Sequence, residues 1–257
     1  MWLAHSGRPA RHNERATTRR AKQGVQMTAN KPIHAVVFDL DGLMFNTEDL
    51  YQDIAAELLR RRGQELTAPL LAATMGVPTP VGLQIMIDWH HLDATVEQLE
   101  AEQDALFPAM LDTRLAPLPG LLPLLDALEQ AGIPKAVGTG SRRSFVVDVL
   151  SRFDLEPRFE FLLTAEDVAR GKPDPEIYLT ACRRLGCPPP RVMVLEDSQN
   201  GCRAAVAAGT FAVAIPAPHS CHHSFDGVCL VADSLADPRI YQALGPAAQA
   251  SRPVPRR

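Results

Sequence analysis

Short apolar runs alternate with amphipathic stretches from residue 117 to residue 244, and this alternation constrains the fold more than any other feature of the sequence. The apolar runs have the length of strands, whereas the stretches between them repeat apolar residues at helical spacing. The pattern predicts strands at 133–138, 159–163, 191–195, 211–215 and 228–231, and helices at 120–130, 141–151, 175–185, 200–208 and 235–244. Such alternation is typical of an α/β fold, here a Rossmann-like parallel sheet with helices on both faces and right-handed crossovers.

An earlier apolar run, Ala35-Val36-Val37-Phe38, predicts one more buried strand of this sheet. Helical spacing dominates from there to residue 117, with Asn46 expected to cap the first helix and Gly63 to end it. We therefore predict an α/β catalytic core of residues 31–48 and 118–245. A small helical cap, residues 49–117, would be inserted after the first strand and lie over the carboxyl ends of the strands. The cap contains 11 acidic and 4 basic residues.

Both ends of the chain have a composition unlike the rest. Residues 1–30 contain six Lys or Arg and one acidic residue, without the apolar segment of a secretory signal, and predict a disordered basic leader. Met27 is a candidate alternative start. Residues 246–257 are rich in Pro and Arg and predict a disordered tail.

Composition excludes some classes of partner. The 257 residues are 46% apolar, enough for a sizeable core, and the net charge of −4 argues against nucleic acid and anionic membranes. The longest uncharged stretch, 204–221, is interrupted by Gly and Pro, so no membrane-spanning segment is predicted. Five cysteines without a C-x-x-C spacing favour a reducing, cytoplasmic location. The sequence does not indicate the oligomeric state, although a monomer is compatible with it.

Polar residues follow four of the predicted strands where each strand ends. These residues are Asp39 and Asp41, Thr139-Gly140-Ser141, Lys172, and Glu196-Asp197. Carboxylate oxygens suit Mg²⁺, the N–H groups at the start of the helix from Ser141 suit a phosphate, and a lysine adds positive charge. Each pattern alone is also compatible with a purely structural role, such as a turn at Asp41-Gly42. Their coincidence at one edge of a sheet indicates a site for a metal and a phosphate.

Other site motifs fail on spacing. Gly138-x-Gly140 lacks the third glycine of a dinucleotide fingerprint, and the chain has no G-x-x-x-x-G-K-[ST] phosphate loop. The runs 221–223 and 90–91 contain His and Cys, but adjacent residues do not readily converge on one zinc ion. We interpret these histidines as loop residues.

The four strand-end motifs resemble those of the haloacid dehalogenase-like hydrolase superfamily. Asp39-Leu40-Asp41-Gly42 is similar to its first motif, Thr139 to its second and Lys172 in Gly-Lys-Pro-Asp-Pro to its third. The run from Glu196 to Gly201 is similar to the fourth, and the resemblance extends over residues 33–245. The insertion resembles the cap of the beta-phosphoglucomutase-like branch. Finer stretches, among them Thr74-Met75-Gly76 and Leu106-Phe107-Pro108, resemble pseudouridine-5'-phosphatases and related sugar-phosphate phosphatases.

This resemblance implies an enzyme, a phosphoric monoester hydrolase that uses Mg²⁺ and an aspartyl-phosphate intermediate. Its substrate would be a small phosphomonoester, either a sugar phosphate or a nucleotide-like phosphate such as pseudouridine 5'-phosphate. Asp39 would be the nucleophile and Asp41 the general acid and base, while Thr139 and Lys172 would hold phosphoryl oxygens. The resemblance implies two further sets of residues: metal ligands Asp39, Asp41 through its carbonyl, Glu196 and Asp197, and substrate-binding residues Gly42, Gly140, Ser141 and Arg142.

Two alternative functions stay open at this point. A beta-phosphoglucomutase-like sugar phosphomutase is compatible with the motifs, but Tyr51 and Thr79 stand where that branch has a cap His and a phosphate-binding Arg. The absence of this His and this Arg, together with the acidic cap, favours hydrolysis over phosphate transfer within a sugar. A non-catalytic phosphometabolite-binding module is less favoured because no catalytic group is missing.

Asn46 replaces an Asp that is usual in the family.

Overall fold

Six short strands form one parallel sheet in a computed structural model, which describes residues 32–251 except 76, 78, 221 and 222. The predicted leader, Met27 and residues 252–257 lie outside the described residues. The strands are β1 Ala35–Phe38, β2 Lys135–Gly138, β3 Leu162–Leu163, β4 Val192–Glu196, β5 Phe211–Ala214 and β6 Leu230–Val231. All five neighbouring pairs are parallel.

The helices occur in the order that the sequence predicts. They are α1 Thr47–Arg60, α2 Ala68–Thr74, α3 Thr79–His90, α4 Val96–Arg114, α5 Leu121–Gln130, α6 Arg143–Ser151, α7 Glu176–Arg184, α8 Gln199–Ala207, α9 Pro238–Leu244 and α10 Pro246–Ala250. We refer to α1–α4, residues 47–114, as the helical block. No strand occurs in the described residues of this block, as expected.

Both faces of the sheet are buried, and β1 shows why. Val36 and Phe38 lie in one apolar cluster with residues of α5, α6 and α9. Ala35 and Val37 lie in a second cluster with residues of α7 and α8. Successive side chains of a strand point to opposite faces, so a strand with helices on both sides must be apolar throughout. The predicted Rossmann-like α/β fold is confirmed.

The strand order places β1 at the centre of the sheet. The order is β3-β2-β1-β4-β5-β6, so the chain first builds outward on one side of β1 and then crosses to β4 on the other. Ligands of open α/β sheets bind at the carboxyl ends of the strands where the order reverses. The residues after β1, β2 and β4 therefore meet at such a reversal.

The segment that enters the helical block is tied to the segment that leaves it. Asn46 precedes α1, but its side chain makes no capping hydrogen bond, so the predicted cap is wrong. Its Nδ2 donates to the Arg114 carbonyl at 3.1 Å, and its Oδ1 accepts from the Ala116 N–H at 2.8 Å. The Asn46 amide bonds to residues 114 and 116 because the segments that enter and leave the helical block lie side by side. Phe45 also bridges to Pro117.

Some element ends differ from the prediction. The tail was expected to be disordered from residue 246, but Pro246–Ala250 form α10, which packs against α5 and α9 and buries Ala248. Gly245 has a φ of 104°, which allows the sharp turn between α9 and α10. The strand predicted at 159–163 is reduced to Leu162–Leu163, and a 3₁₀ turn at Glu156–Arg158 precedes this region. Helix α6 begins at Arg143, two residues later than predicted.

Among the described residues, no helix is both long and apolar enough to cross a membrane.

Candidate active site

Lys172 lies between two carboxylates at the carboxyl ends of β1 and β4. Its Nζ donates to Oδ1 of Asp39 at 2.5 Å and to Oε1 of Glu196 at 2.6 Å. Burial alone would lower the pKa of Lys172, but the two carboxylates outweigh it and hold the pKa well above its usual value. The lysine is therefore charged, and it fixes one oxygen of Asp39.

Asp39, Glu196 and Asp197 form a buried acidic group. One carboxylate oxygen from each lies within 4.8 Å of the others. Burial, together with the charges of the neighbouring carboxylates, raises the pKa of Asp39 and of Asp197 well above the usual range. Like charges this close and this buried ionise together only when a cation offsets them, and oxygen ligands suit a hard divalent ion. The donor set therefore fits such an ion.

The carboxylate of Asp41 is not part of this acidic group and is held by three hydroxyls. Thr47 donates to Oδ1 at 2.8 Å, while Ser141 and Thr139 donate to Oδ2 at 2.6 Å and 3.2 Å. Asp41 thus does not join the acidic group through its carboxylate, as expected if only its carbonyl were a ligand. Its carboxylate is surrounded by neutral donors and lines a cavity.

The loop after β2 is only partly arranged as the sequence predicts. Gly140, Ser141 and Arg142, the residues predicted to bind substrate, line a cavity. The N–H of Arg143, the first residue of α6, donates to both carboxylate oxygens of Glu166 at 3.1 and 3.2 Å. This helix end is thus already occupied by an internal anion at Arg143.

Gly42 is not brought to the cavities among the described residues. Its N–H donates to the Phe45 carbonyl at 3.0 Å, and its φ is 71°. In this structure Gly42 forms the turn that carries the chain from Asp41 toward α1.

Three residues that sequence reasoning missed complete the arrangement. The Tyr178 hydroxyl donates to Oε1 of Glu196 at 2.5 Å, and its ring lies 5.1 Å from Nζ of Lys172. Thr47, expected only as part of a helix start, holds Asp41. Gly201 provides space, because a Cβ there would lie 1.8 to 2.2 Å from the Glu196 carboxylate. The position of Gly201 in the fourth motif was the one available signal.

A cavity lies between the helical block and the β2–α6 loop. Its larger part, about 730 Å³, is lined by α1, α3 and α4 on one side and by the loop and α6 on the other. A smaller part of about 290 Å³ extends to Asp41. Tyr51, Thr79, Gln103 and Ser141 line both parts, which are therefore continuous. The predicted cap positions Tyr51 and Thr79 both face this space.

The family model that describes haloacid dehalogenase-like hydrolases matches residues 33–209. The chain belongs to the haloacid dehalogenase-like hydrolase family. The resemblance stated from the four motifs is thereby confirmed, and so is the expectation of a phosphoric monoester hydrolase.

Two curated proteins and one solved structure are each similar to this chain over most of its length. A phosphorylated carbohydrates phosphatase of Thermotoga maritima is 33% identical, with 69% of this chain and 82% of the relative covered. A probable pseudouridine-5'-phosphatase of Drosophila melanogaster is 31% identical, covering 81% and 94%. The crystal structure of a putative beta-phosphoglucomutase from Thermotoga maritima matches this fold with a TM-score of 0.67. The two sequences are 29% identical, and the match covers 77% of this chain and 94% of that one. Both branches predicted from the sequence are thus represented.

Proposed function

We propose that the chain is a Mg²⁺-dependent phosphatase that hydrolyses a small phosphomonoester through an aspartyl-phosphate. The substrate class is a sugar phosphate or a nucleotide-like phosphate such as pseudouridine 5'-phosphate. The observation that carries the proposal is the arrangement of Asp39 and Asp41. Lys172 holds Asp39, whereas Asp41, two residues later, is held by neutral hydroxyls at the end of a cavity. Two carboxylates in such different environments suit different tasks.

Asp39 is the proposed nucleophile. Its Oδ1 accepts a hydrogen bond from Lys172, whereas no described residue donates one to Oδ2. Oδ2 is therefore the attacking oxygen. A bond forms between Oδ2 and phosphorus while the bond from phosphorus to the ester oxygen breaks. Lys172 offsets the repulsion between the Asp39 carboxylate and the phosphate dianion, which otherwise opposes this attack.

Asp41 is the proposed general acid and base. It gives a proton to the departing ester oxygen in the first step. In the second step it takes a proton from the water that attacks phosphorus, which releases inorganic phosphate and restores Asp39. The hydroxyls of Thr47, Thr139 and Ser141 keep the Asp41 carboxylate oriented toward the cavity side.

Asp39, Asp197 and the Asp41 carbonyl are the proposed Mg²⁺ ligands, with Glu196 beside them. When bound, the ion would polarise a phosphoryl oxygen and screen the charge between nucleophile and phosphate. Glu196 makes hydrogen bonds with both of its oxygens, to Lys172 and Tyr178 and to Ser198. Its proposed contribution is to hold Lys172 against Asp39.

The helical block is the proposed substrate-selecting cap, and residues 31–48 and 118–245 are the proposed catalytic core. The cavity between α4 and the β2–α6 loop supports this division. We also propose a cytoplasmic location, because the described cysteines Cys182, Cys187, Cys202 and Cys229 are all free thiols. A small phosphorylated metabolite is the proposed partner, without nucleic acid.

The first test is phosphate release from a panel of phosphomonoesters with Mg²⁺, for the native protein and for Asp39→Asn. We expect turnover of at least one panel member, and a loss of at least about a thousandfold in kcat in the variant because the nucleophile is gone. Asp93→Asn, which changes an exposed residue outside the cavities, is the control.

No release of phosphate from any ester contradicts the proposed function. Activity in a folded Asp39→Asn protein contradicts the covalent mechanism. Formation of a sugar phosphate isomer without free phosphate would indicate the phosphomutase instead.

A further inference from the structure

The cavity between the helical block and the β2–α6 loop is lined by an excess of negative charge. Its larger and smaller parts together contain five carboxylates and one cation among the described lining residues. The carboxylates are Asp41, Glu48, Glu100, Asp104 and Asp148, and the cation is Arg142. Any part of a substrate that extends from Asp41 into the larger space therefore enters a negative potential.

Helix α4 contributes the two carboxylates that matter most for this potential. Glu100 and Asp104 are four residues apart and so share one face of the helix, with Gln103 and Phe107 beside them. Neither carboxylate has an ion pair or hydrogen bond with a described residue. On the same helix, by contrast, Glu102 is paired with Arg62. On α4, the two acidic residues that face the cavity are thus the ones without an ion pair to a described residue, whereas Asp148 on the other side of the cavity is paired with Arg152.

The negative charge around the cavity also acts on Tyr51, a residue of α1 that lines both parts of the cavity. Burial raises the pKa of its phenol well above the usual value, and the carboxylates of Asp41, Glu48 and Asp104 raise it further, whereas Arg142 acts in the opposite direction. Arg142 lines the larger part of the cavity, as Glu100 and Asp104 do. The two carboxylates of α4 therefore outnumber its single positive charge in that space.

We infer that the part of the substrate beyond its phosphate carries no negative charge and is a neutral polyol or an amine-bearing group. Hydroxyl and ammonium groups can donate to Glu100, Asp104 and Gln103. A second phosphate or a carboxylate would lose water beside the two unpaired carboxylates of α4, with Arg142 as the one cation among the described lining residues. The inference rests on the proposed phosphatase function and narrows its substrates: bisphosphates and phosphorylated acids are excluded.

Matched pairs of phosphomonoesters test this directly. Glucitol 6-phosphate and 6-phosphogluconate differ only in a hydroxymethyl against a carboxylate, and glucose 6-phosphate and glucosamine 6-phosphate only in a hydroxyl against an ammonium. We expect kcat/KM for the carboxylate to be at least about tenfold below that of its neutral partner, as for like charges within several ångströms at a partly exposed site. The ammonium compound should equal or exceed glucose 6-phosphate. Equal kcat/KM within the first pair overturns the inference.

Removal of the two charges tests the assignment to α4. In the double variant Glu100→Gln, Asp104→Asn, the ratio between neutral and anionic partner should shrink at least fivefold, whatever happens to the absolute rates. Asp93→Asn changes a charge elsewhere in the helical block and should leave the ratio unchanged. An unchanged ratio in the double variant shows that other groups discriminate, and contradicts the assignment.

Binding separates this inference from the proposed function. Calorimetric titration of Asp39→Asn with the same four phosphates measures their order of affinity without turnover. If no ester is hydrolysed by the native protein, the proposed function fails. The present inference still stands if the neutral and cationic compounds bind at least about tenfold more tightly than 6-phosphogluconate, and fails if they do not.

Discussion

The carboxylate of Glu196 occupies a space that exists because residue 201 has no side chain. Both of its oxygens accept hydrogen bonds, Oε1 from Lys172 and Tyr178 and Oε2 from Ser198. Glu196 is 1% exposed, so none of these donors can be replaced by bulk water. Gly201 lies in helix α8, where alanine is ordinarily preferred by about 1 kcal/mol. Gly201 therefore provides the space that the Glu196 carboxylate needs, although glycine lowers the intrinsic stability of the helix.

Gly201→Ala is expected to lower both stability and activity. The new methyl would lie within 2.2 Å of the Glu196 carboxylate, which must move away from Lys172 and Tyr178. Overpacking of this kind costs about 1–3 kcal/mol, which outweighs the helix preference. We expect a lower free energy of unfolding in denaturant titration and a kcat reduced at least about tenfold, because Lys172 loses its second anchor.

Gly82→Ala in α3 is the matched control for stability. A Cβ at Gly82 would be 3.6 Å from its nearest neighbour, an ordinary contact, so the substitution should leave the free energy of unfolding unchanged or raise it. If Gly201→Ala is as stable and active as the native protein, Glu196 does not need its observed position.

At the scale of single residues, the sequence predicted the charged groups of the site but not the neutral residues that hydrogen-bond to them. Asp39, Lys172 and Glu196 are recognisable because acids and a lysine that follow buried strands together at one sheet edge are rare outside functional sites. Tyr178 and Thr47 were missed because a tyrosine in an amphipathic helix and a threonine at a helix start are common in any fold. Only the packing of α7 against the sheet shows that the Tyr178 hydroxyl reaches Glu196.

Helix α9 begins at a carboxylate that has several donors around it. Asp237 accepts from the N–H of Arg239 at 2.8 Å and from the N–H of Asp233 at 3.1 Å, and it pairs with the Arg239 guanidinium at 2.5 Å. The guanidinium, followed by these N–H groups, lowers the pKa of Asp237 to about 2. The charged form is thus bound more strongly in the folded protein than in the unfolded chain.

This difference predicts a loss of stability in acid. The pKa of Asp237 is lower in the folded state than the value of about 3.9 in an unfolded chain. Its contribution is therefore complete above about pH 4 and is lost as the pH falls toward 2. Asp237→Asn should lower the free energy of unfolding by up to about 1 kcal/mol at pH 7, because Asn can still accept from the N–H groups but loses the ion pair with the half-exposed Arg239. The gap between the two proteins should close between about pH 4 and pH 2.

Asp233→Asn removes the same charge from a carboxylate that is 98% exposed and lies 3.9 Å from Arg239. It should change stability little at any pH. A gap between native protein and Asp237→Asn that persists unchanged at pH 2 would show that the cap does not depend on ionisation.

Elements were predicted more securely in kind than in extent. Each predicted strand and helix of the core exists, because alternating apolar periods leave few other choices. The ends differ where tertiary contacts decide them: β3 is cut to Leu162–Leu163. Helix α10 was missed because residues 246–257 are rich in Pro and Arg, which is typical of disorder, and a helix of five residues has no periodic signal of its own. It exists because α5 and α9 provide an apolar surface for Ala248.

Across the whole molecule, the acidic group joins two parts of the chain that are far apart in sequence. Asp39 follows β1, whereas Glu196 and Asp197 lie at the end of β4, and these two strands are neighbours in the sheet. Their mutual repulsion opposes the folded state until a cation offsets it. A cation that binds only the folded protein therefore contributes its binding free energy to folding.

Addition of Mg²⁺ is expected to raise the Tm of the native protein. At a concentration one hundred times its Kd, the ion stabilises by about 2.7 kcal/mol, which corresponds to roughly 5–10 °C for a protein of this size. Differential scanning calorimetry in EDTA and in Mg²⁺ at equal ionic strength measures the difference.

The Asp197→Asn protein is the control for the metal effect. It lacks one proposed ligand and should show little or no rise in Tm with Mg²⁺, while its Tm in EDTA should equal or exceed that of the native protein because one repulsive charge is gone. A native Tm that is insensitive to Mg²⁺, Mn²⁺ and Ca²⁺ would contradict a cation site at these carboxylates.

The contact between Thr47 and Asp41 determines where this protein can be recombined with its relatives. Thr47 is the first residue of the helical block, yet its hydroxyl serves a carboxylate of the core, and Asn46 beside it ties the entry of the block to its exit at Ala116. A chimaera that imports a foreign block to change substrate preference should therefore be joined after Thr47 and before Ala116. Exchange of residues 48–114 would then replace the proposed substrate-selecting cap and leave Thr47 in contact with Asp41, the proposed general acid and base.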